Sequence, residues 1–513
     1  MISKNRALAI NSATSMVAFI SNLAINFFLS PFIVRKLGVE ANGFIMLANN
    51  FVNYASLASI ALNSMSGRFI TLKIYQGNME EAGRYYSTIT VANTVFALLM
   101  LIPAILLSFY LEHVIKIPSS LVWDVKILFF LTFTSFLIGV ASSSWGVATF
   151  VTNRLYLSSI IRMNSQVLKA VIIFGLFGLL KPSVHYAGIA KLVTAIYVAF
   201  MSLRYKKIFL PEIRVIKKDI SMESLKEIIR SSIWNTVQRT GLILLSGLDL
   251  LIANIFLGAT QMGMLALAKT VPGVIVSMAG TITSVFAPTL TIYYAKSELE
   301  NLKRELKKSM KILGVLLVIP LSLLIVFGMD FFRLWVPSQD ARVLHILSIL
   351  TIFGLVFTSG VQALYNIFTI TDRLKVPAIL IVISGIISTG TVFILLHTTR
   401  LGIYAVAGVS SLINHARNML FTVPYGAKYL NLKWNTFFPE VFFSIISVIL
   451  LSATGLLIRS IIPVNSWTDL AVAAVITSLI GFVINMYIVL TRNDRIYLWN
   501  IISKRLNKDK YIN

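Results

Sequence analysis

Cysteine is absent from the 513 residues, which removes disulfides, thiolate metal sites and thiol nucleophiles from consideration. Charge is scarce, with 13% charged against 57% hydrophobic residues, a balance at which a water-soluble chain of this length could not cover its surface. Acidic groups are scarcer still, 20 against 45 Lys and Arg. His113, His185, His345, His397 and His415 show no metal-ligand spacing and read as structural or interfacial. No phosphate-cradling Gly-rich loop is found, so ATP hydrolysis by the chain is not expected. Neither a metal nor a cofactor is expected.

What the chain does hold is a series of apolar runs, about fourteen of them, each able to cross a hydrocarbon core of ~30 Å as ~20 helical residues. The expected fold class is therefore all-α integral membrane. Asn11, Ser12, Thr14 and Ser15 interrupt the first apolar run and no small-residue cleavage pattern follows, so it reads as the first span and not as a signal peptide. A formal charge of +25 would suggest nucleic acid in a soluble protein. Here the basic residues sit in short connections, where they orient the chain, and no nucleic-acid partner is expected. Arg204 to Arg230, Lys296 to Lys311 and the tail from Arg492 to Lys510 collect them on one side. The other side carries only scattered cations such as Arg35, Lys116, Arg333 and Arg459. The positive-inside rule then puts both termini in the cytoplasm.

An internal repeat runs at an offset of about 220 residues. Leu37, Gly38, Gly43, Leu47 and Ala48 recur as Leu257, Gly258, Gly263, Leu267 and Ala268. Glu80 and Arg84 match Glu300 and Arg304, and Thr152, Asn153, Arg154 and Leu155 match Thr371, Asp372, Arg373 and Leu374. Six spans per copy is an even number, so both copies share one orientation and are expected to be related by a pseudo-twofold axis along the membrane normal. The expected organisation is a six-helix bundle at 1–208, a basic cytoplasmic connector at 209–231 and a second six-helix bundle at 232–430. Two additional spans at 431–490 and a basic cytoplasmic tail at 491–513 follow.

Polar residues recur at helical spacing inside the spans. Asn11, Ser15, Asn22 and Asn26 share one face of the first, and Asn49, Asn53, Ser56 and Asn63 one face of the second. The seventh and eighth carry comparable stripes with Ser231, Asn235 and Ser246, and with Lys269, Gly273 and Ser284. One such stripe is commonly a helix contact. Four at equivalent places in two bundles point to a lumen, in which Asn22, Asn26, Asn49 and Asn53 would suit sugar hydroxyls.

Five cations fall within spans, at about 2.5–3.5 kcal/mol each if left against lipid. Lys169 and Lys191 lie near enough to span ends to snorkel. Arg239, Lys269 and Arg417 lie deeper and are the candidate cavity residues for an anionic head group, since guanidinium offers a bidentate fork to phosphate or pyrophosphate. Asp249 and Lys269 are both about ten residues from the turn between Gly258 and Gly263 and form a candidate pair, for ion coupling or for structure alone. Reversal of Arg239 is expected to abolish activity, and reversal of Arg459, on an outer connection, to be tolerated.

At Ser30, Pro31, Phe32, Ile33, Val34, Arg35, Lys36, Leu37 and Gly38, followed by Gly43, the chain resembles the Wzx-type polysaccharide and O-antigen flippases of the multidrug, oligosaccharidyl-lipid and polysaccharide exporter superfamily. The likeness continues through Gly67, Arg68 and Phe69, Glu80 to Tyr86, Asp249 to Ala268, and Phe286, Ala287 and Pro288. It implies two bundles around a central cavity, alternating access in a bacterial inner membrane, and an undecaprenyl-diphosphate-linked oligosaccharide as cargo. Membrane lipid, a coupling ion (H+ or Na+) and other polysaccharide-assembly proteins are the implied partners. Two alternatives stay open. A cation or drug antiporter of the same superfamily needs intramembrane carboxylates, of which only Asp249 lies deep. A membrane glycan polymerase or ligase needs acid–base groups in a sizeable outer loop, and the outer loops here are short, so no enzyme activity is expected.

Overall fold

Glycine at 38 and 258 does what an L side chain does badly, holding φ at 89° and 95° so that one helix ends and the next begins at once. These turns are the first sign of the repeat in the computed structural model, which describes residues 4–488 together with 491, 492, 495 and 496. Four of the other six left-handed residues fall in register too, Gly77 with Ser297 and Asn153 with Asp372, while Gly402 and Asn431 have no counterpart. Even the turn hydrogen bonds recur, Arg154 N to Thr149 O at 2.8 Å and Arg373 N to Phe368 O at 2.9 Å. Lys504, Arg505, Lys508 and Lys510 of the basic tail lie outside the described residues.

The chain is all-helical among the described residues. Thirteen helices among the described residues are long and apolar enough to cross a membrane. The twelfth expected span is Ile403–Arg417, continued by a π-turn at Asn418–Thr422 and by Val423–Tyr429; polar and basic side chains such as Asn414, His415 and Arg417 dilute its apolar character. Internal contacts divide the chain into two units, Met1–Leu267 and Ala268–Asn513.

The first unit is built from α1 (Lys4–Leu37), α2 (Val39–Asn63), α3 (Ser66–Tyr75), α4 (Met79–Phe109), α5 (Val122–Ala141), α6 (Leu155–Leu179), α7 (Tyr186–Phe209) and α8 (Met222–Leu242). Asn78 caps α4 by accepting from Glu81 N at 3.0 Å, with Glu80 and Glu81 complementing the positive helix end. The connector after α7 is strapped to α4: Ser87 Oγ accepts from Ile216 N and Thr88 Oγ1 from Ser221 N, while Ile213 is buried among Tyr85, Tyr86 and Ile89. The sequence repeat puts α8 at the head of the second bundle, yet it packs along α2 and α4 of the first unit. Beyond α8, π-turns at Ile243–Gly247 and Ala253–Leu257 flank a short helix that begins at Asp249.

The second unit comprises α9 (Thr270–Ala295), α10 (Leu299–Trp335), α11 (Ala341–Thr358), α12 (Lys375–Thr398), α13 (Ile403–Arg417), α14 (Phe438–Ile461) and α15 (Trp467–Ile488). At ~1.5 Å per residue the 37 residues of α10 reach ~55 Å, so the amphipathic connection at Glu300–Arg304 is the protruding first turns of a spanning helix. Of the two spans outside the repeat, α14 is fixed to α10 where Gly314 faces Ser444, Gly455 faces Val326 and Ser322 Oγ donates to Val448 O, and α15 packs on both through Leu470 and Ala473. At the far end of α10, buried Asp330 receives Arg459 Nε at 2.9 Å and Arg333 at 3.4 Å. Arg459 also donates to Val326 O. It is thus a clamp between α10 and α14, which corrects the expectation that its charge could be reversed freely.

Candidate functional site

Four helices of the first unit, α2, α5, α6 and α7, line an open cavity of about 730 Å³. Polar residues recur at helical spacing on each wall: Asn49, Ser59 and Asn63 on α2, Thr132 and Ser135 on α5, Gln166 and Lys169 on α6, and Lys191, Thr194 and Ser202 on α7. Ser142 and Ser143 add hydroxyls at the end of α5, and the remaining wall is apolar or glycine, as at Ile45, Leu128, Phe136 and Gly139. No carboxylate is among the lining residues.

The two lysines decide the electrostatics. Lys191 Nζ donates to Asn49 Oδ1 at 2.5 Å, joining α7 to α2. Lys169 opens onto the same space and has no hydrogen-bonding or ionic partner among the described residues. Two ammonium groups share one cavity with no anion in its wall. Their distance from the span ends predicts snorkelling to the membrane interface for both; the structure turns them inward instead. Their neighbours at helical spacing, Gln166 before Lys169 and Thr194 after Lys191, were the available signal.

The floor of the cavity is an amide–hydroxyl cluster. Asn63 and Asn93 exchange side-chain hydrogen bonds at 2.9 and 2.8 Å, and Ser143 bonds to both. Ser143 comes from the turn Ser143–Gly146, where the fourth span breaks at the position equivalent to Gly360–Leu364 in the tenth.

The residues singled out from sequence are dispersed. Asn49 lies in the cavity wall, whereas Asn53 is exposed and outside the lining. Asn26 Nδ2 donates to Asn22 Oδ1 at 2.6 Å, so these two amides are bonded to each other. Asn11 and Ser15, on the same face, bind the turn and helix after the fourth span: Asn11 Oδ1 accepts from Tyr156 N, and Ser15 meets Ser159 at 2.9 Å. The upper part of that stripe is a helix contact. Arg239 lies half-buried on α8, and Asp249 is buried beside the π-turn whose Gly247 carbonyl accepts from Tyr54 at 2.7 Å and Asn50 at 3.4 Å. Lys269 precedes α9 in the second unit. Arg417, also in the second unit, donates to Asn414 Oδ1 at 2.7 Å and Tyr365 Oη at 3.0 Å. Its Nε is buried without a partner among the described residues. Tyr365 in turn donates to Asn418, in the π-turn.

No family model matches the chain. It is 29% identical over 503 residues, 98% of each chain, to a protein of Bacillus subtilis (strain 168) described as the uncharacterized membrane protein EpsK. Among solved structures it is similar to the lipid II flippase MurJ in an inward closed conformation, with a TM-score of 0.68 at 12% identity over 94% of this chain and 98% of that one. A multidrug resistance MATE family transporter in an inward-facing conformation superimposes with a TM-score of 0.62 at 16% identity, covering 82% and 98% of the two chains. A transporter from Pyrococcus furiosus, described as having a binding pocket of reversed polarity, gives 0.59 at 15% identity over 83% and 96%. With thirteen long apolar helices among the described residues and an internal repeat, this chain shares the fold of these transporters.

Proposed function

We propose that the protein flips an undecaprenyl-diphosphate-linked oligosaccharide from the cytoplasmic to the outer leaflet of a bacterial inner membrane, by alternating access of its two halves. The observation that carries this reading is the cavity in the first unit, where Lys169 and Lys191 face a space with no carboxylate in its lining. Burying ammonium groups in a membrane is costly unless water or a counter-charge reaches them, so the chamber favours a ligand that brings anionic oxygens. Asn49 orients one lysine, and the hydroxyls and amides of the remaining wall match sugar hydroxyls. Arg239, Lys269 and Arg417 are proposed as further cationic contacts along the translocation route, with Asp249 as the group that couples it to an ion gradient. Likeness to a lipid II flippase supports the lipid-linked class of cargo.

The basic connections support cytoplasmic termini. The alternative of a cation or drug antiporter draws on the MATE likeness, but a cation would meet two lysines in this cavity. Deletion in the native host tests the reading. Flipping predicts that the lipid-linked saccharide accumulates in the cytoplasmic leaflet, protected from an impermeant glycan-labelling reagent in intact protoplasts. Normal exposure in the deletion strain, or a drug-sensitivity phenotype alone, overturns it.

A further inference from the structure

We infer that the cavity of the first unit has two chemically distinct ends, a cationic end that holds phosphate and a neutral hydroxyl–amide end that holds carbohydrate, roughly 20 Å apart along the helices. This rests on the reading of the cavity as a ligand chamber and adds the order in which a ligand lies within it.

Two hydrogen bonds fix the register. Lys191 meets Asn49, setting one level shared by α7 and α2. Ser143 meets Asn63, setting a second level shared by the end of the fourth span and α2. Asn49 and Asn63 are fourteen residues apart on one helix, ~21 Å at 1.5 Å per residue. Eleven residues beyond Lys191, Ser202 stands ~16 Å further along α7, at the depth of Ser59 and Asn63. On α6, which runs the opposite way, Gln166 precedes Lys169 and so lies toward the same neutral end. The walls agree on where the charge lies: both lysines stand toward the Gly38 turn, with Asn49, Thr132 and Thr194 near their level, while Ser59, Asn63, Ser143 and Ser202, none of them charged, stand toward the Asn153 turn.

The chemistry of the two ends differs in kind. An ammonium group offers three donors and no acceptor, which matches phosphate oxygens that only accept. Two such groups at one end repel one another, and a dianion placed between them removes that repulsion. Amide and hydroxyl groups both donate and accept, as sugar hydroxyls do, and they carry no charge to hold a phosphate. A glycosylated diphosphate satisfies both ends at once, whereas bare pyrophosphate fills only the first.

The test uses the purified full-length protein in detergent, titrated calorimetrically with inorganic pyrophosphate and with a soluble short-prenyl diphosphodisaccharide. The wild type is expected to bind the disaccharide probe about tenfold more tightly than pyrophosphate. Lys169→Gln with Lys191→Gln is expected to weaken both probes about tenfold or more, and Lys169→Arg with Lys191→Arg to restore them. Ser202→Val, with Ser202→Ala as the milder variant, is expected to weaken only the disaccharide probe, by about threefold to tenfold, and to leave pyrophosphate unchanged. Equal weakening of both probes by the Ser202 variants, no effect of them on either probe, or unchanged pyrophosphate binding in the lysine-to-glutamine protein overturns the two-ended site. If the binding pattern holds while the deletion strain exposes its lipid-linked saccharide normally, the site stands and the flipping assignment alone fails.

Discussion

Thr260 Oγ1 donates to Glu40 Oε1 at 2.8 Å, and the two residues stand 220 positions apart, so equivalent points of the two repeats touch. One turn further on, Gly43 and Gly263, also repeat equivalents, lie backbone to backbone: a Cβ on Gly43 would come within 2.8 Å of Gly263 Cα, and one on Gly263 within 2.5 Å of Val39 O. Glycine at both sites lets the chain segments approach to a distance that no side chain permits.

The first prediction follows from that contact. Gly263→Val places side-chain atoms where the Val39 carbonyl already sits, and overpacking of this kind costs about 1–3 kcal/mol. Thermal unfolding in detergent is expected to fall by several degrees, with Gly175→Ala unchanged because nothing lies within 4 Å of its added Cβ. Equal melting temperatures for the two variants contradict the close approach.

Arg459→Glu sets a second carboxylate against buried Asp330, which also holds Arg333. A fully buried pair broken on one side costs about 3–5 kcal/mol, but Arg459 is 38% exposed, so ~1–2 kcal/mol is expected after screening. The charge-swapped protein Asp330→Arg with Arg459→Glu is expected to recover part of that loss. A melting curve identical to wild type for the single variant removes the clamp between α10 and α14.

Asn93 is fully buried and holds both Asn63 and Ser143. Asn93→Leu leaves two partners unsatisfied at the neutral end of the cavity, at roughly 1–3 kcal/mol. Reduced stability together with reduced disaccharide-probe affinity is the expected pair of effects in calorimetry. Lost stability with intact probe affinity would make the cluster purely structural.

The elements that lipid dictates were legible from composition alone. An apolar stretch of ~20 residues has few alternatives to a spanning helix, and the left-handed turns at Gly38, Gly258, Asn153 and Asp372 fall where the repeated residues fall. The orientation of individual polar faces was not legible. Helical spacing groups Asn11 with Asn22, but only packing shows that Asn11 binds the turn at Asn153 and Tyr156 while Asn22 turns to Asn26. Lys169 and Lys191 were misplaced for the same reason: distance from a span end permits snorkelling, and which side of the helix meets a cavity depends on neighbours distant in sequence. The π-turns beside Asp249 and Arg417 have no local residue signature, since each adds one residue to a helical turn without needing proline. Asn254 shows what such a turn brings about: it exchanges two hydrogen bonds with the backbone of Lys116, at 2.7 and 3.0 Å, tying the seventh span to the connection between the third and fourth.

The account stands on Lys169 and Lys191 attracting an anionic cargo through the membrane. Reconstituted vesicles loaded with a fluorescent lipid-diphosphate oligosaccharide, assayed by an impermeant quencher, measure that directly. Lys169→Gln with Lys191→Gln is expected to slow flipping by about tenfold or more at wild-type melting temperature, with recovery in the double arginine protein. Flipping at the wild-type rate in the neutral protein would contradict it.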